Sequence, residues 1–483
     1  MGHSIESTNR PPYGILAILL IGAFISFLNN TLLNVALPTI MADLNVDTAT
    51  VQWLSTGYML VNGILIPTSA FLIQKYSVRH LFLAAIGLFL MGTILAGFAT
   101  TFPVLLAGRM VQASGSAIMM PLLMNVILIA FPVRKRGTAM GVLGLILMFA
   151  PAIGPTLSGW IIEHYDWRML FHFITPIAIL ILLLGFFLLK DKKEKVIIHL
   201  DGFSVVLSSI GFGGLLYGFS SAGSIGWSSP QVYLPLVAGI CSLVWFILRQ
   251  SNLTQPMLNF NVFRYPMFSL ATILMMVLNM AMFSGFMLLP IYLQTILGVS
   301  PMEAGLLLLP GAIVNAIMSP ITGKLFDRHG GKILAISGLS IMMVTTYFLS
   351  NLTFETDYYY LMFIHAVRMF GLSMVMMPVQ TNGLNQLPVE YYPHGTAMNN
   401  TLNQVSGAIG TAVIITIMSI RENNYVSKFS AQVIGQPTVE VEQQIAMEAM
   451  LGGINDAFLI SSIIIVAALV LAFFMKRATP QEL

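Results

Sequence analysis

Residues 137–154 read GTAMGVLGLILMFAPAIG, and residues 395–410 read GTAMNNTLNQVSGAIG. The tetrad Gly137-Thr138-Ala139-Met140 returns as Gly395-Thr396-Ala397-Met398 at an offset of 258, and Ala152-Ile153-Gly154 returns as Ala408-Ile409-Gly410 at 256. Arg109-Met110 returns as Arg368-Met369 at 259. Three matches in one order at nearly one offset predict a duplicated unit. The first copy lies inside a long apolar run and the second at the head of one, so the repeated unit is a set of apolar helices.

Composition says what surrounds them. Hydrophobic residues make up 57% of the chain and charged residues 8%, with a mean hydropathy of +0.85; a water-soluble globule is excluded. Crossing the hydrocarbon of a bilayer takes roughly 20 apolar residues as a helix. Apolar runs of that size predict fourteen spans near 13–37, 51–73, 80–100, 103–130, 137–162, 169–189, 203–221, 232–248, 267–297, 302–325, 333–350, 358–386, 396–420 and 457–475. Barrel strands would instead be short and alternating. The expectation is an all-α polytopic membrane protein of two six-helix bundles, residues 1–200 and 251–483, with two additional central helices in 201–250.

The distribution of basic residues tests the count, because an error of one span would scramble it. Seventeen of the 22 Lys and Arg fall in connections on one side, among them Lys75, Arg79, Arg134, Lys135, Arg136, Lys190, Arg249, Lys324, Arg328, Lys332 and Lys476. The positive-inside rule makes that side, and both termini, cytoplasmic. The longest outer loop is expected at 421–456 and is acidic. The first helix is expected to stay uncleaved, and no lipid anchor is implied.

Other classes leave no trace. Net charge is only +3 and the basic residues form short clusters, which argues against nucleic acid. The single cysteine, Cys241, allows neither an internal disulfide nor a cysteine metal site. Neither a phosphate-binding Gly-Lys-Ser/Thr loop nor an HExxH or GxSxG pattern occurs, so no enzyme, metal or cofactor is expected.

Polar residues inside apolar runs are costly unless paired or facing water, so they carry the functional signal. Arg109, Gln112 and Ser116 form one stripe on the fourth helix, which reads as a gate or substrate wall; the competing reading is an arginine that locks two helices together. Arg368, with His365 one turn earlier, is its counterpart. On the first helix Ser26, Asn30 and Asn34 share a face beside Asn29, and on the thirteenth Asn399, Asn400, Asn403 and Gln404 answer them. This symmetry predicts a central cavity lined by Asn29, Asn30, Asn34, Gln112, Asn399 and Asn403. Pro151, Gly154, Pro155 and Gly159 on the fifth helix predict a close, bendable contact about which the halves rock. Proton coupling requires a group that changes charge, yet acids approach the spans only at their ends. Glu303 and Asp456 join Arg109, Arg368 and His365 as candidates, while a solvated helix-end carboxylate remains the simpler account of each acid.

Leu28 to Pro38 (LNNTLLNVALP), Gln52-Trp53 with Tyr58, the set Leu105, Leu106, Arg109, Gln112, Gly115 and Pro121, Gly154-Pro155 with Gly159, Trp167-Arg168, and Gly323 to Lys332 (GKLFDRHGGK) together resemble the major facilitator superfamily. The similarity is to its fourteen-helix drug:proton antiporters and covers nearly the whole chain. The resemblance implies secondary efflux of hydrophobic or amphiphilic drugs, antibiotics included, across a bacterial cell membrane in exchange for protons; the sequence does not fix the oligomeric state, and a monomer is the expectation. It assigns proton transfer to Arg109, an antiporter motif to the fifth helix, and a cytoplasmic gate to Gly323, Asp327, Arg328 and Gly331. Two positions depart from the pattern: Asn29 stands where the family usually has Asp, and Gln74 and Ser77 replace the acid and glycine of the first gating loop. The charge-poor cavity suits neutral amphiphiles at least as well as divalent cations. Export of a physiological lipid or metabolite on the same fold is the alternative.

Overall fold

A computed structural model describes residues 13–190, 198–431 and 438–477. Among these, fourteen helices are each long and apolar enough to cross a membrane. The first six are α1 (Tyr13–Asp43), α2 (Thr48–Lys75), α3 (Val78–Gly97), α4 (Phe102–Ala130), α5 (Val133–His164) and α6 (Met169–Leu188). Then come α7 (Gly202–Ile225) and α8 (Pro230–Asn252), followed by α9 (Pro266–Ile291), α10 (Pro301–His329), α11 (Gly331–Phe348), α12 (Tyr358–Asn385), α13 (Tyr392–Ser430) and α14 (Val439–Phe473).

Uniform apolarity keeps these segments helical, because hydrocarbon offers a backbone no other hydrogen-bond partners. Their ends are set by local chemistry. Asp47 and Asp357 accept backbone N–H groups at the starts of α2 and α12, and Ser77 does so for α3. Ser300 and Glu303 form a reciprocal capping box on α10.

Packing follows the duplication. In the first set α1 packs on α4, α5 and α6, and α3 on α4 and α6; in the second, α9 packs on α12, α13 and α14, and α11 on α12 and α14. The sets meet through crossed pairs, α5 along α10 and α2 along α13. By position in each set, α5 answers α13 and α2 answers α10, so the two seams are related by the internal repeat. The intervening pair, α7 and α8, packs on itself and sets α7 against α2 and α13.

One reading is corrected. The polar stretch expected as an outer loop at 421–456 is largely helical: α13 runs on to Ser430 and α14 begins at Val439. Apolar patterning marks where a helix leaves hydrocarbon, whereas Glu, Gln, Lys and Met continue it readily in water. The start of α13 also lies earlier than expected, since Pro393 occupies a first-turn position where its missing N–H is harmless.

Candidate functional site

Arg109 is fully buried in α4, where an unmatched charge would cost several kcal/mol. Its partners are neutral. Nη1 donates to Gln112 Oε1 at 2.9 Å and Nη2 to Asn30 Oδ1 at 2.9 Å, while the guanidinium lies 4.2 Å from the centre of the Tyr58 ring. Gln112 also receives Asn29 Nδ2 at 3.2 Å and donates to Thr93 Oγ1 at 2.7 Å. Tyr58 donates to Ser116 at 2.6 Å, and Ser116 bonds Ser26. Four helices, α1 to α4, are thereby joined around one cation with no carboxylate in the network. Close approach makes this feasible: a side chain on Gly92 or Gly108 would press into the facing backbone of α3 and α4.

Arg109 leaves Nε without a partner, and the counterpart in the second set is held by longer bonds. Arg368, fully buried in α12, donates Nε to Thr346 Oγ1 at 3.2 Å and Nη2 to the Ala281 carbonyl at 3.4 Å, and Nη1 has no partner. His365, one turn earlier and buried, leaves Nδ1 without a partner. Gly285 and Gly311 open the space these two side chains fill. Asn403 Oδ1 accepts from Asn279 Nδ2 at 2.9 Å, and Asn399 is buried with a free Oδ1. The side chains of Asn34 and Pro155 lie outside the described residues.

The two sets are clasped at the end where the basic connections lie. Asp327, on the last turn of α10, accepts Gly137 N and Thr138 N at 2.8 Å each and Thr138 Oγ1 at 2.6 Å. Gly323 sits against Gly137 and Gly141 so tightly that a Cβ would fall 2.9 Å from the Gly137 carbonyl carbon. Arg328 is exposed and offers its carbonyl to Arg477, and Gly331 packs near Met475. Beside this clasp Arg136 donates Nη1 to Asn385 Oδ1 at 3.1 Å.

The repeat supplies a second clasp. Gln74 ends α2 as Asp327 ends α10, and His394 precedes Gly395 as Arg136 precedes Gly137. The Gln74 amide nitrogen lies 3.2 Å from His394 Nε2, and His394 Nδ1 accepts the Asn259 backbone N–H at 3.1 Å. Phe71, Gln74, Asn259, Glu390, Tyr391 and His394 line a cavity of about 230 Å³ there.

The remaining candidates take plainer roles. Glu303 is exposed and bonds the Ser300 backbone and hydroxyl, and Asp456 pairs with Arg421 at 3.3 Å and accepts from Tyr425 at 3.2 Å. Gly154 presses α5 on Thr31 of α1, whereas nothing approaches Gly159 and Pro151 is exposed. Sequence reasoning passed over Thr93, Thr346, Asn385 and His394; the place of His394 directly before the repeated tetrad was the signal available.

A sequence-family model described as Major Facilitator Superfamily matches residues 19–411. The chain is 46% identical to YcnB of Bacillus subtilis, described as an uncharacterized MFS-type transporter, over 99% of this chain and 98% of that protein. It is 44% identical to the lincomycin resistance protein LmrB of Bacillus subtilis over 96% of this chain and 95% of that one. The crystal structure of the human organic anion transporter MFSD10 (TETRAN) matches with a TM-score of 0.66 at 12% identity, covering 94% of this chain and all of that one.

Proposed function

The chain belongs to the major facilitator superfamily, and on that footing we propose that it exports hydrophobic or amphiphilic drugs from a bacterial cell by proton antiport. The near full-length relationship to a lincomycin resistance protein supports the cargo class. The observation that carries the mechanism is the Asp327 clasp: one carboxylate of α10 holds two backbone N–H groups and a hydroxyl of α5, so one end of the route opens only when that contact breaks.

In this reading the clasped end is cytoplasmic, both termini with it, and the protein works as a monomer in the cell membrane. Substrate meets the amides of α1, α4 and α13, with Asn29, Asn30, Asn34, Gln112, Asn399 and Asn403 as its wall. Gly323, Asp327, Arg328 and Gly331 form the gate, and the α5 segment around Pro151, Gly154, Pro155 and Gly159, seated on α1 within the first set rather than between the sets, lets α5 bend as the sets rock. Arg109 and Arg368 assist the proton transfer, and His365 beside Arg368 is the group among these candidates whose charge can change, since Glu303 is held in a helix cap and Asp456 in an ion pair with Arg421.

The test is proton release in proteoliposomes. Adding lincomycin to the reconstituted chain is expected to release protons in proportion to drug moved, and an imposed pH gradient to drive uptake. Drug movement indifferent to the gradient would remove the antiport claim. Movement of a lipid or metabolite with no effect on drug would replace the cargo.

A further inference from the structure

We propose that the route through this carrier admits neutral and anionic amphiphiles and rejects permanent organic cations; this rests on the reading that substrate passes between the two helical sets. The argument is one of charge. Two guanidiniums, Arg109 and Arg368, are fully buried within the spans, one in each set. Among the described residues no carboxylate is buried.

Each acid near a span is engaged at an end. Asp43 pairs with Arg168, Asp201 with Arg249 and Asp456 with Arg421; Asp327 holds the first turns of α5, and Glu303 caps α10. None of them lies beside Arg109 or Arg368. The neutral partners bring no net negative charge, and the oxygens of Asn30 and Gln112, given to Arg109, and of Asn403, given to Asn279, are not free to receive a second cation. The unpartnered oxygens of Asn125 and Asn399 are uncharged dipoles. Arg368 keeps an unpartnered Nη1 and its neighbour His365 an unpartnered Nδ1, so the second set holds its cation with two long bonds and no counter-ion.

Coulomb interactions weaken only slowly with distance in a low-dielectric interior. A fixed cation between the sets is therefore repelled from both sides, a neutral amphiphile is not, and an anion is attracted. Asn29 sits at the pivot of this balance. Its Nδ2 bonds Gln112 at 3.2 Å, and Gln112 bonds Arg109, so an acid at position 29 would stand beside the buried charge and cancel it.

The experiment uses the full chain in lipid nanodiscs with one fluorophore carrying three charges: dansylamide, dansylglycine and dansylcholine. Binding is read by fluorescence titration with no ion gradient. Dansylamide and dansylglycine are expected to bind at least tenfold more tightly than dansylcholine. Asn29→Asp is expected to raise dansylcholine affinity at least fivefold, with Arg368→Gln as an independent route to the same relaxation. Dansylcholine binding as tightly as dansylamide, or a gap that neither variant narrows, overturns the charge selection and leaves the export reading standing. No saturable binding of any probe overturns the substrate route itself and this inference with it.

Discussion

Arg109 is a cation kept in place by neutral groups, and that decides what its loss would do. Arg109→Ala strands the buried Gln112 and the half-buried Asn30, which costs about 2–4 kcal/mol, within the reach of a large helical protein to survive. The expected outcome is a folded, monodisperse variant whose pH-driven drug uptake falls to background. Arg109→Lys should fail too, since a point charge cannot bond Gln112 and Asn30 together while lying on the Tyr58 ring. Wild-type uptake by either variant would reduce Arg109 to a helix lock. The sequence made Arg109, Gln112 and Asn30 legible, because charge and amides stand out in an apolar run. Thr93 and Tyr58 were not singled out on their own, since which hydroxyl faces a given arginine depends on how neighbouring helices rotate, and periodicity carries no information about that.

At the scale of elements the seam of α5 and α10 is held by absent side chains as much as by present ones. Gly323 packs on Gly137 and Gly141, so Gly323→Val should force the helices apart and abolish transport without unfolding the protein, which cysteine cross-linking across the seam would register as lost proximity. The docking of α7 on α8 has a pH signature. Asp201 is held down to about 2 by hydrogen bonds from Arg249 and Ser204. A carboxylate lowered in the folded state stabilises fully above its unfolded value, near 3.8 here, and loses that contribution as pH falls toward about 2. Hydrogen exchange at the start of α7 is therefore expected to be unaffected by protonation of Asp201 between about pH 8 and pH 5 and to rise below about pH 4; Asp201→Asn should show the raised exchange throughout. Span existence was readable from apolar length, but the extensions of α13 and α14 were not, because hydropathy is silent about helices in water.

For the whole molecule, the repeat places one charged and one neutral clasp at equivalent positions, Asp327 over Gly137 and Thr138 and Gln74 against His394. The charged one should dominate the conformational balance. Asp327→Asn weakens charge-assisted bonds, each worth about 1.5–3 kcal/mol before solvent screening, so the clasped end should open in a larger fraction of molecules by roughly tenfold. Maleimide labelling of a cysteine placed at Ser319, in a Cys241→Ser background, is expected to accelerate accordingly; an unchanged rate would pass the controlling role to the neutral clasp. The apparent decay of the first gating loop in the sequence is thus a change of chemistry, legible only once His394 was seen facing Gln74.

The helical continuation of α13 to Ser430, braced by Arg421 against Asp456, turns part of the end opposite the clasps into a lever. From Ile420 it projects about 15 Å at 1.5 Å per residue, rigidly attached to the helix whose other end carries His394. A rotation too small to resolve at the pivot is magnified at that tip, which makes the arm a natural indicator needle for the turnover of single molecules.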